Sequence, residues 1–193
     1  NMPPFTQSLG ILFPSGEGKY AEILTRNTNT TLELISKIPR FSYFRQRLHP
    51  SLSNWLPFYW SGYSQSTRYT YIIEDLQDID NVWKEFRSNI RQEIRKATKS
   101  IVINQKEDFD ALKYCIKSTY DRQEKTGFDF RTLERIFTTC NELNCGKIFL
   151  AKNKENDICG AVYLVWDEKS AYYIAGGSPE EVRTSGAMPL LLW

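Results

Sequence analysis

The sequence predicts a mixed α/β (α+β) fold, a mainly antiparallel sheet flanked by helices. Three observations carry that expectation. From residue 81 to about 146 the apolar residues recur at helical spacing; after 146 the period drops to two. The links between the late apolar runs, 154–157 and 167–170, are of hairpin length, so consecutive strands should pair antiparallel.

Residues 1–67 have a different character. Gly16 and Gly18 mark a loop. Residues 20–37 carry Leu24, Leu32 and Ile35, but the polar run 27–31 breaks the pattern and suits two short elements. Residues 54–60 are densely aromatic around Pro57, and Gly62 closes them. The β-branched and aromatic residues 68–74 read as a strand.

Residues 81–100 form the strongest helix, with Asp80 as N-cap and Trp83, Phe86, Ile90, Ile94 and Ala97 as its buried stripe. Ile101, Val102 and Ile103 follow as a strand. Asp108 opens a second helix whose face is Phe109, Leu112, Ile116 and Tyr120, and Gly127 ends that stretch. Thr132 caps a third, with Leu133, Ile136, Phe137 and Leu143, ending near Gly146. Strands are then expected at 147–153, 158–166 and 171–175, with Gly176 and Gly177 as the stop. A polar loop, 178–185, leads through Gly186 and Ala187 to an apolar run, 188–193, that reads as the start of a helix.

Composition narrows the function. Hydrophobic residues at 41% and charged residues at 25% are ordinary globular usage and argue against disorder. The net charge of +2 proclaims no nucleic-acid partner. The excess is local: residues 81–99 hold six basic against two acidic side chains. The cysteines at 115, 140, 145 and 159 match no zinc or CxxC spacing, and His49 is the single histidine, so no metal is expected. The thiols read as reduced structural cysteines of a cytoplasmic protein. No apolar run approaches the ~18 residues of a membrane span. There is no GxSxG, P-loop or Rossmann fingerprint.

Four constellations could carry chemistry, one of them the aromatic stretch 55–69, which suits a groove for a sugar or peptide or plain core. In the first, a strand ending at Gly176-Gly177 is followed by Arg183, Thr184, Ser185, Gly186 and Ala187 before a helix start. Helix N-termini present unpaired N–H groups, and small residues let a backbone approach a phosphate; the same residues also suit an ordinary tight turn. In the second, Lys84, Arg87, Arg91 and Arg95 step by three and four along one helix. They suit bidentate phosphate contacts or a plain solvated face. In the third, Arg122 and Arg131 flank the aromatic loop around Gly127 and Phe128, within reach of a polar ligand. Tyr172 and Tyr173, with Asp129, are positional candidates for acceptor contact or proton transfer.

The order helix, strand, two helices, antiparallel meander and loop-to-helix turn resembles the N-acyltransferase fold of the GNAT superfamily. Residues 90–99, IRQEIRKATK, resemble the segment that opens the second GNAT-like domain of Fem-type aminoacyltransferases and BioF2-like acetyltransferases. Thr119, Arg122, Gly127 and Phe128 are similar to their Thr…Arg-x-Gly-Phe segment, and Cys159-Gly160-Ala161-Val162-Tyr163 with Ala171-Tyr172-Tyr173 to their central strands. The likeness spans about 68–193 and makes 1–67 a partial preceding domain. It implies acyl or aminoacyl transfer to an amine of a small-molecule, glycan or peptide acceptor, including cell-wall precursors, with acetyl-CoA, another acyl-CoA or aminoacyl-tRNA as donor. Against the acyl-CoA signature Arg/Gln-x-x-Gly-x-Gly/Ala, Arg183 and Gly186 match but Met188 stands where a small residue belongs. The family fold continues past this last helix, so the chain reads as truncated there. The degenerate loop leaves a second class open, a GNAT-like module that binds a glycan or protein without catalysis.

Overall fold

The computed structural model describes residues 2–14, 17–105 and 107–193. Gly16 lies outside them. The chain divides into two compact units, 1–72 and 73–193.

In the first unit, α1 (Tyr20–Ser36) packs on α2 (Leu56–Trp60). The polar run 27–31 does not split α1. The hydroxyls of Thr25 and Thr31 donate to the carbonyls of Ala21 and Asn27 at 2.8 and 2.7 Å, so these side chains satisfy themselves inside the helix. Only Thr31, Pro57 and Phe58 are buried among the described residues of this unit. The strand expected at 68–74 is absent. Those residues run irregularly, with Tyr69 and Tyr71 fully open to solvent. Strand-forming side chains find no partner strand there, and without a ladder or a buried face such a segment has nothing to hold it extended.

The second unit begins with α3 (Ile79–Glu85) and α4 (Ser88–Ala97). The single helix expected at 81–100 is thus two. Phe86 and Arg87 are extended, at ψ 142° and 146°, and the N-cap of α3 is Asp78, which accepts from the Asn81 N–H at 2.9 Å. No residue of the stretch forbids a helix. The break accompanies a tertiary contact: Trp83 and Phe86 both pack on Trp193, with ring centroids 4.7 and 5.7 Å away.

Then come β1 (Val102–Gln105), α5 (Phe109–Arg122), α6 (Phe130–Glu142), β2 (Gly146–Lys152), β3 (Ile158–Trp166), β4 (Ala171–Gly177), a 3-10 turn (Glu180–Ser185) and α7 (Ala187–Leu192). Asp108 caps α5 as expected, accepting from Ala111 at 2.9 Å. The cap of α6 lies three residues before Thr132: Asp129 accepts the Thr132 N–H at 3.0 Å. That helix ends at Glu142, with Asn144 at φ 53° as its stop, and Leu143 is exposed rather than on the buried face.

The four strands pair antiparallel in the order β1-β2-β3-β4. Pairing alternates the faces. Ile148, Leu150, Ala161 and Tyr163 share the face covered by α5 and α6. Phe149, Ala151, Gly160 and Val162 share the other, where Ala97 of α4 and Ala187 and Leu191 of α7 close a buried cluster. Helices on both faces explain why β3 is apolar almost throughout.

Candidate functional site

The β4 edge carries the geometry of interest. Tyr163 pairs with Ala175 but Leu164 pairs with Tyr173, so Ile174 is an extra residue, a bulge. The bulge switches faces. Tyr173, opposite Leu164, and Gly176, opposite Val162, lie together toward α4 and α7, while Ala175 and Gly177 lie toward α5. The Tyr173 hydroxyl occupies the room that Gly176 leaves: a Cβ there would stand 2.6 Å from that oxygen and from the Ala161 carbonyl. Burial pushes the Tyr173 phenol above its ordinary pKa. At neutral pH it stays protonated, as an ordinary phenol does, and gives up its proton less readily than one.

Gly177 sits against α5. A Cβ on it would overlap the Cys115 carbonyl and the Thr119 hydroxyl. The next residue, buried Ser178, is latched to the same helix. Its N–H donates to Thr119 Oγ1 at 3.2 Å, and its carbonyl accepts from Arg122 Nη1 at 3.4 Å. Arg122 also pairs with Glu180 at 3.3 Å. Arg122, expected as a ligand contact, is thus committed to holding the β4 exit against α5. The Gly176-Gly177 doublet was the sequence signal for this close approach; Ser178 and Glu180 gave none.

The structure places Arg183, Thr184, Ser185, Gly186 and Ala187 from the 3-10 turn into α7. Gly186 adopts φ 78°, a conformation L side chains resist, and a Cβ on it would stand 3.1 Å from Ala97 Cβ and the Glu93 carbonyl. Its smallness serves close packing on α4. Among the N–H groups of the helix start, Ala187 N–H meets Ser185 Oγ at 3.3 Å and residue 189, a proline, has none; Leu190 N–H makes the first ordinary bond of the helix, to the Gly186 carbonyl at 3.2 Å. Arg183 and Thr184 are exposed.

The expected basic stripe changes with the broken helix. Lys84 belongs to α3, Arg87 is the extended N-cap of α4, and Arg91 and Arg95 remain one turn apart on α4. Arg95 lies over the Trp83 ring at 5.5 Å, a cation–π contact. Lys84 and Arg87 are exposed and Arg91 is half-buried. The structure nonetheless brings α4 and the 183–187 loop together through the Gly186 contact.

Two other expected residues stand apart. Arg131 is exposed at the start of α6. Tyr172 is exposed near the start of β4, opposite Val165. Asp129 is a helix cap whose carboxyl is held below its ordinary pKa by the Thr132 hydrogen bonds, which removes it as a base near neutrality.

No described helix is long and apolar enough to cross a membrane. Among the described residues no group of three or more His, Cys, Asp or Glu is placed to hold a metal ion.

No family model matches the chain. No curated protein matches it by sequence. Among solved structures it is similar to a crystal structure of FemX, with a TM-score of 0.55 at 15% identity, over 60% of this chain and 46% of that one. The matched region thus spans less than half of FemX, and what the likeness establishes is a Fem-like fold: a four-stranded antiparallel sheet flanked by helices.

Proposed function

We propose that the chain belongs to an N-acyltransferase of the Fem type, which moves an aminoacyl group from tRNA to an amine on a cell-wall or glycan precursor in the cytoplasm. The observation that carries this reading is the fold shared with FemX. Residues 90–99 and the Thr119–Arg122–Gly127–Phe128 pattern support it as resemblances. The chemistry asks little of the protein beyond orientation and oxyanion stabilisation. The acceptor nitrogen attacks the ester carbonyl, the bond between the acyl carbon and the ribose oxygen breaks, and the proton that the nitrogen loses ends on that oxygen. Tyr173, on the α4/α7 face, is the proposed relay, passing its hydroxyl proton to the leaving oxygen as it takes up the one the nitrogen releases. Arg87, Arg91 and Arg183 are the proposed phosphate contacts.

Acetyl-CoA is the second donor to weigh, because Arg183 and Gly186 match the acyl-CoA signature. Three features favour tRNA instead: Met188 in place of a small residue, Pro189 without an N–H, and the engaged amide of Ala187. The test is a transfer assay with tRNA carrying a labelled amino acid and an amine-bearing muropeptide precursor. Label on the precursor, reduced at least tenfold by Tyr173→Phe, supports the reading. Label that stays on tRNA while acetyl-CoA acetylates the same acceptor overturns it.

A further inference from the structure

The loop that ends α6 holds two of the four cysteines in a defined backbone motif. Cys145 N–H donates to the Cys140 carbonyl at 2.9 Å, and Asn144 N–H to the Asn141 carbonyl at 3.1 Å. With Asn144 at φ 53°, these are the two bonds of a Schellman C-cap. That motif sets the side chains at the ends of the longer bond against each other, ordinarily as an apolar contact. Here both ends are cysteine. The neighbouring geometry agrees: a Cβ on Gly146, the residue after Cys145, would stand 2.9 Å from Cys140 Cβ. Cys145 is itself anchored, its carbonyl accepting from Trp166 N–H at 2.8 Å. Both thiols are half-exposed, whereas Cys115 and Cys159 are buried. Beneath them lies the buried Tyr163 hydroxyl, which faces the Cys140 thiol. A disulfide needs Cα atoms within about 4.4–6.8 Å and converging Cβ atoms, and the bond from Cys145 N–H to the Cys140 carbonyl holds the two residues at the ends of one turn.

We propose that Cys140 and Cys145 are a modification site: a dithiol that hydroperoxides oxidise to an intrachain disulfide and that thiol reductants reopen. One thiolate attacks an oxygen of the hydroperoxide and the O–O bond breaks. The sulfur becomes a sulfenic acid, and the departing oxygen is protonated to an alcohol or water. The second sulfur then attacks the first, the S–O bond breaks, and the hydroxyl leaves as water with the second thiol's proton. Two thiols and one hydroperoxide give one disulfide, one alcohol or water, and one further water; the sulfurs lose two electrons and the peroxide gains them. The bond would staple the C-terminus of α6 to the start of β2. Burial raises the Cys140 thiol above its ordinary pKa, so the reaction should be slow near neutrality and quicken as pH rises.

The test uses the full chain, reduced, treated with hydrogen peroxide, alkylated after denaturation and digested with trypsin. Both cysteines fall in one peptide, 136–147. The expected product is that peptide two hydrogens lighter and unalkylated, with Cys115 and Cys159 alkylated, and full reversal by dithiothreitol. Cys145→Ser should instead stop at a sulfenic acid on Cys140 that a dimedone probe captures. The proposal is overturned if peptide 136–147 carries two alkyl groups after peroxide, if its sulfurs go to sulfinic or sulfonic acid, or if Cys140 links to Cys115 or Cys159.

Discussion

The two units of this chain use similar amino acids to different ends. In 73–193, Leu112, Cys115, Leu133, Leu150, Ala151, Ala161, Val162 and Tyr163 have no exposed surface. In 1–72, only Thr31, Pro57 and Phe58 are buried among the described residues, while Leu12 and Tyr20 stay at least 80% exposed. The difference teaches that a helix and a core are separate achievements. Helix α1 runs unbroken over Tyr20–Ser36 and packs on α2, yet among its residues only Thr31 is buried. Helix α5 buries Ala111, Leu112, Cys115 and Ile116 on one side of a four-stranded sheet.

The largest contrast should appear in proteolysis. Chymotrypsin under native conditions should cut at Tyr69 or Tyr71 and leave a resistant fragment from about residue 73 onward. Rapid loss of the C-terminal fragment as well would show that the second unit is no better packed than the first. Next, Leu112→Ala should cost about 2–5 kcal/mol in a urea melt, because a fully buried leucine leaves a cavity. Leu24→Ala, at a 36% exposed site of α1, should cost under about 1 kcal/mol.

Glycines sharpen the same contrast. Gly177→Ala must displace α5 backbone and should cost about 3 kcal/mol. Gly62→Ala meets nothing within 4 Å and should cost about 1 kcal/mol, from its φ of 85° alone. A smaller effect belongs to the cap of α5, where Asp108→Ala should cost about 1 kcal/mol by equilibrium unfolding.

The effect that vanishes at neutral pH is a titration. Burial pushes the Cys115 thiol from 9.0 up to about 12. Its folded pKa lies above the unfolded one, so stability is intact below pH 9 and declines as pH rises toward 12. Cys115→Ala should flatten that part of the stability–pH curve; an unchanged slope would assign it to other groups.

Much of the second unit was legible because local pattern and tertiary contact agree there. The hairpin-length links gave the meander, Asp108 gave the start of α5, and the apolar run after Ala187 gave α7. The rest depends on partners distant in sequence. Nothing within 79–97 announces a break, since Trp193 provides the contact at the hinge. Residues 68–74 have strand chemistry but no neighbouring strand. At the candidate site, Gly186 was legible as a small residue before a helix, yet its reason is the α4 backbone 93 residues earlier in sequence. Arg122 was legible as a cation near a loop; only the fold shows that Ser178 and Glu180 hold it.

Donor identity decides what the chain does, and calorimetric titration reads it most directly. The folded chain should give saturable, salt-sensitive binding with aminoacyl-tRNA, weakened by Arg91→Glu, and no heat with acetyl-CoA. Saturable acetyl-CoA binding that Gly186→Val abolishes, with none to aminoacyl-tRNA, would contradict it and make the loop from Arg183 to Ala187 a coenzyme site.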